Sequence, residues 1–120
     1  MIVAVAAQGR ELDSKVDPRL GRAEYFVLVN TETGVNSHHD NAENVNAIQG
    51  AGTQTAQMLA DAHVDAVIAG NVGPRALQAL KAAGIKVYIG ATGTVNEAIG
   101  ILEVGGLQLA EQANVAPHWA

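Results

Sequence analysis

The sequence predicts an α/β fold: a mixed five-stranded sheet, strand order 3-2-1-4-5 with strand 2 antiparallel, flanked by helices. Three observations lead there. Residues 2–7 (I-V-A-V-A-A) form a continuous apolar run, the pattern of a central strand covered on both faces. Residues 24–30 (E-Y-F-V-L-V-N) are rich in β-branched and aromatic side chains, and the turn Thr31-Glu32-Thr33-Gly34 brings Val35 to Asp40 back as a hairpin partner. Two strand–GxxG–helix units then follow in succession. Crossovers into a parallel sheet are right-handed, so few topologies survive.

Between the first two strands, Gln8 to Ala23 is a long polar loop, of a length that is uncommon in a compact domain unless it serves a function. A second polar loop covers Asn41 to Gln49. Gly50-Ala51-Gly52-Thr53 leads into the first helix, with Thr53 as expected N-cap, Met58, Leu59 and Ala62 facing inward, and His63 in the last turn near the helix dipole. The run Val64 to Ala69 is the fourth strand, and Gly70-Asn71-Val72-Gly73 turns it into a helix that Pro74 opens and Gly84 closes. Val87-Tyr88-Ile89 is the fifth, followed by Gly90-Ala91-Thr92-Gly93. Thr94 and Glu97 then make a Thr-x-x-Glu capping box for the last helix. Gly105-Gly106 ends it, and Leu107 to Ala110 is an optional edge strand. One domain, residues 1–110, and a tail, residues 111–120, are expected.

The connection reverses direction between strands 1 and 4, which creates a crevice at their C-terminal ends. Loops 8–23, 70–75 and 90–94 converge on it. Each glycine turn presents backbone N–H groups backed by the positive end of a helix dipole, a setting for an anion. The chain has only seven Lys and Arg against twelve Asp and Glu, yet Arg10, Lys15, Arg19 and Arg22 share the first loop. A net charge of −5 argues against nucleic-acid binding. No apolar run reaches the ~18 residues of a spanning helix, and Met1 to Ala7 reads as a strand with no basic leader, so a cytoplasmic protein without membrane contact is expected.

Other chemistries fare poorly. The absence of cysteine excludes disulfides, thiolate metal sites and thiol nucleophiles. Gly70-x-x-Gly73 is followed by no Gly-Lys-Ser/Thr, and strand 1 leads into Gln8-Gly9-Arg10 with no dinucleotide fingerprint. Asp13, Asp17, Asp40, Asp61 and Asp65 are scattered, with Asp65 at the wrong end of its strand for two-metal chemistry. Ser14 and Ser37 have no His–carboxylate pattern beside them. His38 and His39 are weak metal candidates, because neighbours on a strand point to opposite faces. His118 beside Trp119 lies in the tail.

Four segments carry a resemblance: Asp17-Pro18-Arg19-Leu20-Gly21-Arg22-Ala23-Glu24-Tyr25-Phe26, Gly50-Ala51-Gly52-Thr53-Gln54-Thr55-Ala56, Ala69-Gly70-Asn71-Val72-Gly73-Pro74-Arg75-Ala76, and Gly90-Ala91-Thr92-Gly93-Thr94-Val95-Asn96-Glu97-Ala98. In order and spacing, from strand 1 to about residue 104, the chain resembles the dinitrogenase iron–molybdenum cofactor biosynthesis family. Leu20 stands where that family often has Phe. Gln49 stands where it often has His, so no histidine ligand carries over there. The resemblance implies a ribonuclease-H-like fold without the nuclease carboxylates, and a carrier or binder of molybdenum- or iron-containing sulfide clusters.

The cysteine-free chain and the sequence as a whole most resemble members that hold a mixed molybdenum–copper sulfide cluster without covalent attachment; an iron–molybdenum type cluster or its precursor is the alternative. Such a cluster is an anion whose sulfides are its own ligands, so amides and guanidiniums suit it. The expected cluster-binding residues are Arg19, Leu20, Gly21 and Arg22, then Asn71, Val72, Gly73 and Arg75, then Ala91, Thr92 and Gly93. The arginines would compensate charge, the turn amides would donate hydrogen bonds, and Leu20 and Val72 would exclude water. No catalysis is expected, and a cluster-accepting protein or an ATPase is the expected partner. A cofactor-free interaction module acting with a partner ATPase is the alternative function. An enzyme acting on a phosphorylated small molecule is a third, for which no base or nucleophile stands out.

Overall fold

The computed structural model describes residues 1–41 and 51–115. The second polar loop from residue 42 on, with Gln49 and Gly50, and the end of the tail, with His118 and Trp119, lie outside the described residues. The elements are β1 (Ile2–Ala7), a 3-10 turn (Leu20–Arg22), β2 (Tyr25–Asn30), β3 (Asn36–Asp40), α1 (Ala51–Asp61), β4 (Ala66–Ile68), α2 (Pro74–Ala82), β5 (Lys86–Ile89), α3 (Val95–Glu103) and β6 (Gln108–Leu109). They form one mixed sheet in the order β3-β2-β1-β4-β5-β6.

The five expected strands stand in the expected order, giving the ribonuclease-H-like arrangement with a sixth strand added at the edge. β1 is central. It pairs antiparallel with β2, from Ile2↔Asn30 to Ala7↔Tyr25, and parallel with β4, from Val3↔Ala66 to Val5↔Ile68. β6 exists because α3 ends in Gly105, at φ 75°, whose N–H donates to Leu102 O while Gly106 N–H donates to Ile101 O. The chain turns back there and sets Gln108 opposite Ile89 and Leu109 opposite Tyr88.

Side-chain alternation along each strand divides the core in two. On one face Ala4, Ala6, Phe26, Leu28, Val67, Val87 and Ile89 meet Leu59 of α1 and Leu77 and Leu80 of α2. On the other, Val3, Val5, Val27, Val29 and Ile68 meet Val95, Ala98 and Ile99 of α3. Each fully buried Leu, Val or Phe contributes roughly 1.5–3 kcal/mol relative to its exposed state, so this layering fixes strand register. No helix among the described residues is long and apolar enough to cross a membrane.

Two local expectations are corrected, and the first loop is packed. Thr53 lies inside α1, whose described span begins at Ala51, so Thr53 is no N-cap. His63 follows the helix end in the left-handed region, at φ 61°, with its N–H on Ala60 O and that of Val64 on Leu59 O. It is a left-handed helix terminator, which the dipole argument did not foresee. The first loop is not a loose excursion: Val16, Asp17, Leu20 and Ala23 are buried in it.

Candidate functional site

The first loop is stitched between the two glycine turns by main-chain bonds. Asp17 N–H donates to Ala6 O at 2.7 Å, just before the end of β1. Asp17 Oδ1 accepts the Arg19 N–H at 2.9 Å, the Asx turn that its Asp-Pro dipeptide favours. Gly70 N–H donates to Asp17 O at 3.3 Å, Leu20 N–H to Asn71 O at 3.2 Å, and the Asn71 side-chain amide to Pro18 O at 2.9 Å. Toward the other turn, Val16 N–H donates to Gly93 O and Val95 N–H to Ser14 O, both at 2.9 Å. The turns also meet each other, through Gly90 N–H on Gly70 O at 2.9 Å and Ala91 N–H on Ala69 O at 3.3 Å. The three loops thus form one rim at the C-terminal ends of β1, β4 and β5.

Two residues make this close approach possible. A Cβ at Gly70 would stand 2.8 Å from Pro18 Cα, so only glycine lets the loop lie against the turn. Leu20, fully buried, plugs the loop into the core with Phe26, Leu59 and Val72. Leu20 and Val72 therefore turn inward and offer the rim only backbone. Ala91 is also buried.

Arg19, Arg22 and Arg75 are exposed, and none of them pairs with a carboxylate among the described residues. Arg10, by contrast, is taken. Its Nε and Nη2 bond Asp40 at 3.2 and 3.3 Å, and its guanidinium lies 4.9 Å from the Tyr25 ring centroid. That bond raises the Arg10 pKa and holds the Asp40 carboxyl below its ordinary range. Among the described residues, the amides of Gly21, Gly73, Thr92 and Gly93 have no acceptor. Gly73 is itself buried at the head of α2, in extended conformation with no side-chain cap.

The two glycine turns are not equivalent. At the third loop the predicted capping box is present: Glu97 N–H donates to Thr94 Oγ1 at 3.2 Å, and the Thr94 N–H and hydroxyl both donate to Glu97 Oε1. Those bonds lower the Glu97 pKa, so a carboxylate sits within 3.0 Å of where a Gly93 Cβ would be. The head of α2 carries no such charge and has Arg75 in its first turn. The head of α2 is therefore the more positive of the two helix N-termini.

His38 and His39 lie on the edge strand, two strands from β1, with His39 level with Ala6 through Phe26 and beside the Asp40 that Arg10 of the first loop holds. They pair with Val27 and Phe26 on β2 and so face opposite sides of the edge strand. His38 Nε2 is 3.9 Å from Asp40 Oδ1, and His39 lines a separate groove of about 470 Å³ with Gln54, Gln57, Met58, Asp61 and Ala62. No group of three or more His, Asp or Glu able to hold a metal ion occurs among the described residues. Sequence reasoning missed Asp17 and Asn114. The Asp-Pro dipeptide signalled the first. Nothing local signalled the second, whose side-chain oxygen accepts the Val72 N–H at 2.7 Å.

Comparison with known proteins agrees with this fold. The chain is similar to the apo form of the orange protein of Desulfovibrio gigas, with 40% identity, a TM-score of 0.91, and 95% of this chain and 96% of that one covered. A NifB-like protein from Thermotoga shares 38% identity with a TM-score of 0.83, over 95% and 97% of the two chains. An uncharacterized protein of Methanocaldococcus jannaschii is 34% identical over 98 residues, 80% of this chain and 83% of that one. The model of the family described as dinitrogenase iron-molybdenum cofactor matches residues 1–104, and the chain belongs to that family.

Proposed function

We propose that this protein binds and carries an anionic molybdenum-containing metal–sulfide cluster as cargo, a mixed molybdenum–copper sulfide in the first instance, with no catalysis of its own. The observation that carries this reading is the stitched rim, whose three loops carry three exposed arginines without ion-pair partners and four amides without acceptors among the described residues. Family membership and the likeness to the orange protein support a cluster-binding role. The donor set fits such a cargo. Sulfides within a thiomolybdate cluster already satisfy copper, so the protein need supply only hydrogen bonds and positive charge. Within the rim, Gly73, Arg75, Arg19, Gly21 and Arg22 make the principal contacts. Thr92 and Gly93 bound the site on the side where Glu97 limits negative charge.

The test is reconstitution. Purified protein is incubated with tetrathiomolybdate and copper, desalted, and assayed for metal by elemental analysis and for a visible charge-transfer band. Stoichiometric co-elution of both metals is expected. Arg22→Ala is expected to lose most of the bound metal while His39→Ala keeps it. The opposite order would move the site to β3, and no co-elution at all would favour the interaction module acting with a partner ATPase.

A further inference from the structure

The segment after β6 runs along α2 and reaches the rim at Asn114. Ala110 is buried, and its N–H donates to Val87 O at 2.8 Å. Lys81 Nζ, in the last turn of α2, donates to Glu111 O. Ala113 packs against the core between them and the rim. Asn114 then closes on the turn that precedes α2 with three hydrogen bonds. Its N–H donates to Val72 O at 3.1 Å, its Oδ1 accepts the Val72 N–H at 2.7 Å, and its Nδ2 donates to Asn71 Oδ1 at 2.9 Å. Asn71 in turn holds Pro18 O of the first loop.

The Val72 N–H is the amide immediately before that of Gly73, which has no acceptor among the described residues. Two consecutive amides at the head of a helix are a natural anion cradle. In this structure one of the two is filled by a neutral carbonyl oxygen from the chain's own C-terminal segment. Asn114 is an exposed residue held by side-chain and main-chain hydrogen bonds. A charged acceptor bonds an amide more strongly than a neutral one does.

The geometry points to residues 111–114 as a displaceable strap: Asn114 occupies the Val72 amide in the free protein, and an incoming anionic cluster releases it. This rests on the cluster-binding reading of the rim and adds a regulatory element to it. Loading would free the strap, and the freed strap is then the signal by which a cluster-accepting protein distinguishes a loaded carrier from an empty one. Conversely, anything that tightens the strap on Asn71 and Val72 would oppose loading.

The experiment titrates tetrathiomolybdate with copper into the full chain and into Asn114→Ala, and reads amide hydrogen exchange at Val72 and residues 108–115. Asn114→Ala is expected to bind about fivefold more tightly, the factor lost when one ordinary hydrogen bond no longer competes. In the unaltered chain, exchange at the Asn114 amide, which donates to Val72 O, is expected to accelerate on saturation while that of Ala110, which donates to Val87 O, stays protected. Equal or weaker binding by the variant overturns the strap, as does undiminished protection of the Asn114 amide at saturation; in both cases the cluster-binding reading stands. Retention by neither protein sinks that reading and the strap with it, whereas retention by the variant alone supports the strap. The exchange measurement needs no substitution, so it decides the matter even where Asn114→Ala folds poorly.

Discussion

Gly70 is the residue on which the rim turns. Its neighbours across the gap are backbone atoms of Pro18, at 2.8 Å from an added Cβ, and backbone cannot swing aside as a long side chain can. Gly70→Ala is therefore expected to push the first loop away from the turn at a cost of about 1–3 kcal/mol, the range for overpacking a tight contact. Urea denaturation measures that loss. Because the displaced loop carries Arg19 and Arg22, cluster retention is expected to fall in the same variant even under conditions where it is folded. At this scale the sequence is a partial guide. The glycine and the arginines stand out in it, since special backbone and scarce charge are visible in one dimension. The inward turn of Leu20 and Val72 is not, because only the 3-10 turn at Leu20–Arg22 decides that a leucine in a polar loop becomes a core plug.

At the scale of elements, the cap of α3 is the feature the sequence announced most directly. Thr94 and Glu97 are three residues apart, and the reciprocal bonds follow from that spacing alone. Thr94→Ala is expected to cost about 1 kcal/mol, as N-cap threonines do, and to lower the melting temperature by about 4 °C. The carboxylate contribution has a definite pH sense. The Glu97 pKa is lowered in the folded chain by its bonds to Thr94, so its stabilisation is fully present above the unfolded value, ~4.3. It is lost as pH falls through the lower folded value. The gap in melting temperature between the native chain and Glu97→Gln is thus expected to close on acidification from pH 6 to pH 3; a gap that widens would assign the effect elsewhere. By contrast, β6 was legible only as an option, since a two-residue strand depends on pairing with Tyr88 and Ile89 and hardly on its own propensity. The left-handed terminator at His63 was hidden because nothing in a histidine marks a positive φ.

At the scale of the whole molecule, two electrostatic effects compete for an anion. The chain carries a net charge of −5, which repels it, while Arg19, Arg22 and Arg75 at the rim attract it. Distance decides between them. Glu32 and Asp65 sit at the N-terminal end of β1, about 17 Å from the rim at the rise of a strand and beyond the ~10 Å screening length at 0.1 M salt, whereas Glu11, Asp13 and Glu97 belong to the rim loops themselves. Charges in contact with the cargo are screened far less. That the three loops meet at all was readable in outline from the topological switch between β1 and β4. The main-chain bonds that lock Asp17, Leu20 and Val16 onto the two turns join residues up to 77 positions apart, as in Val16 to Gly93, and no local pattern encodes them. The salt dependence of tetrathiomolybdate–copper binding, followed by calorimetry, therefore tests the site as a whole. Affinity is expected to change little at low salt, where screening weakens attraction and overall repulsion together, and to fall steadily above about 0.1 M, where only the rim contacts are left to screen. In a chain with Arg19, Arg22 and Arg75 all changed to Gln, the sign is expected to reverse, with weak binding that improves as salt rises, because only the net repulsion remains. The same salt slope in both proteins would mean that these arginines do not hold the cargo, and would locate the site away from the rim.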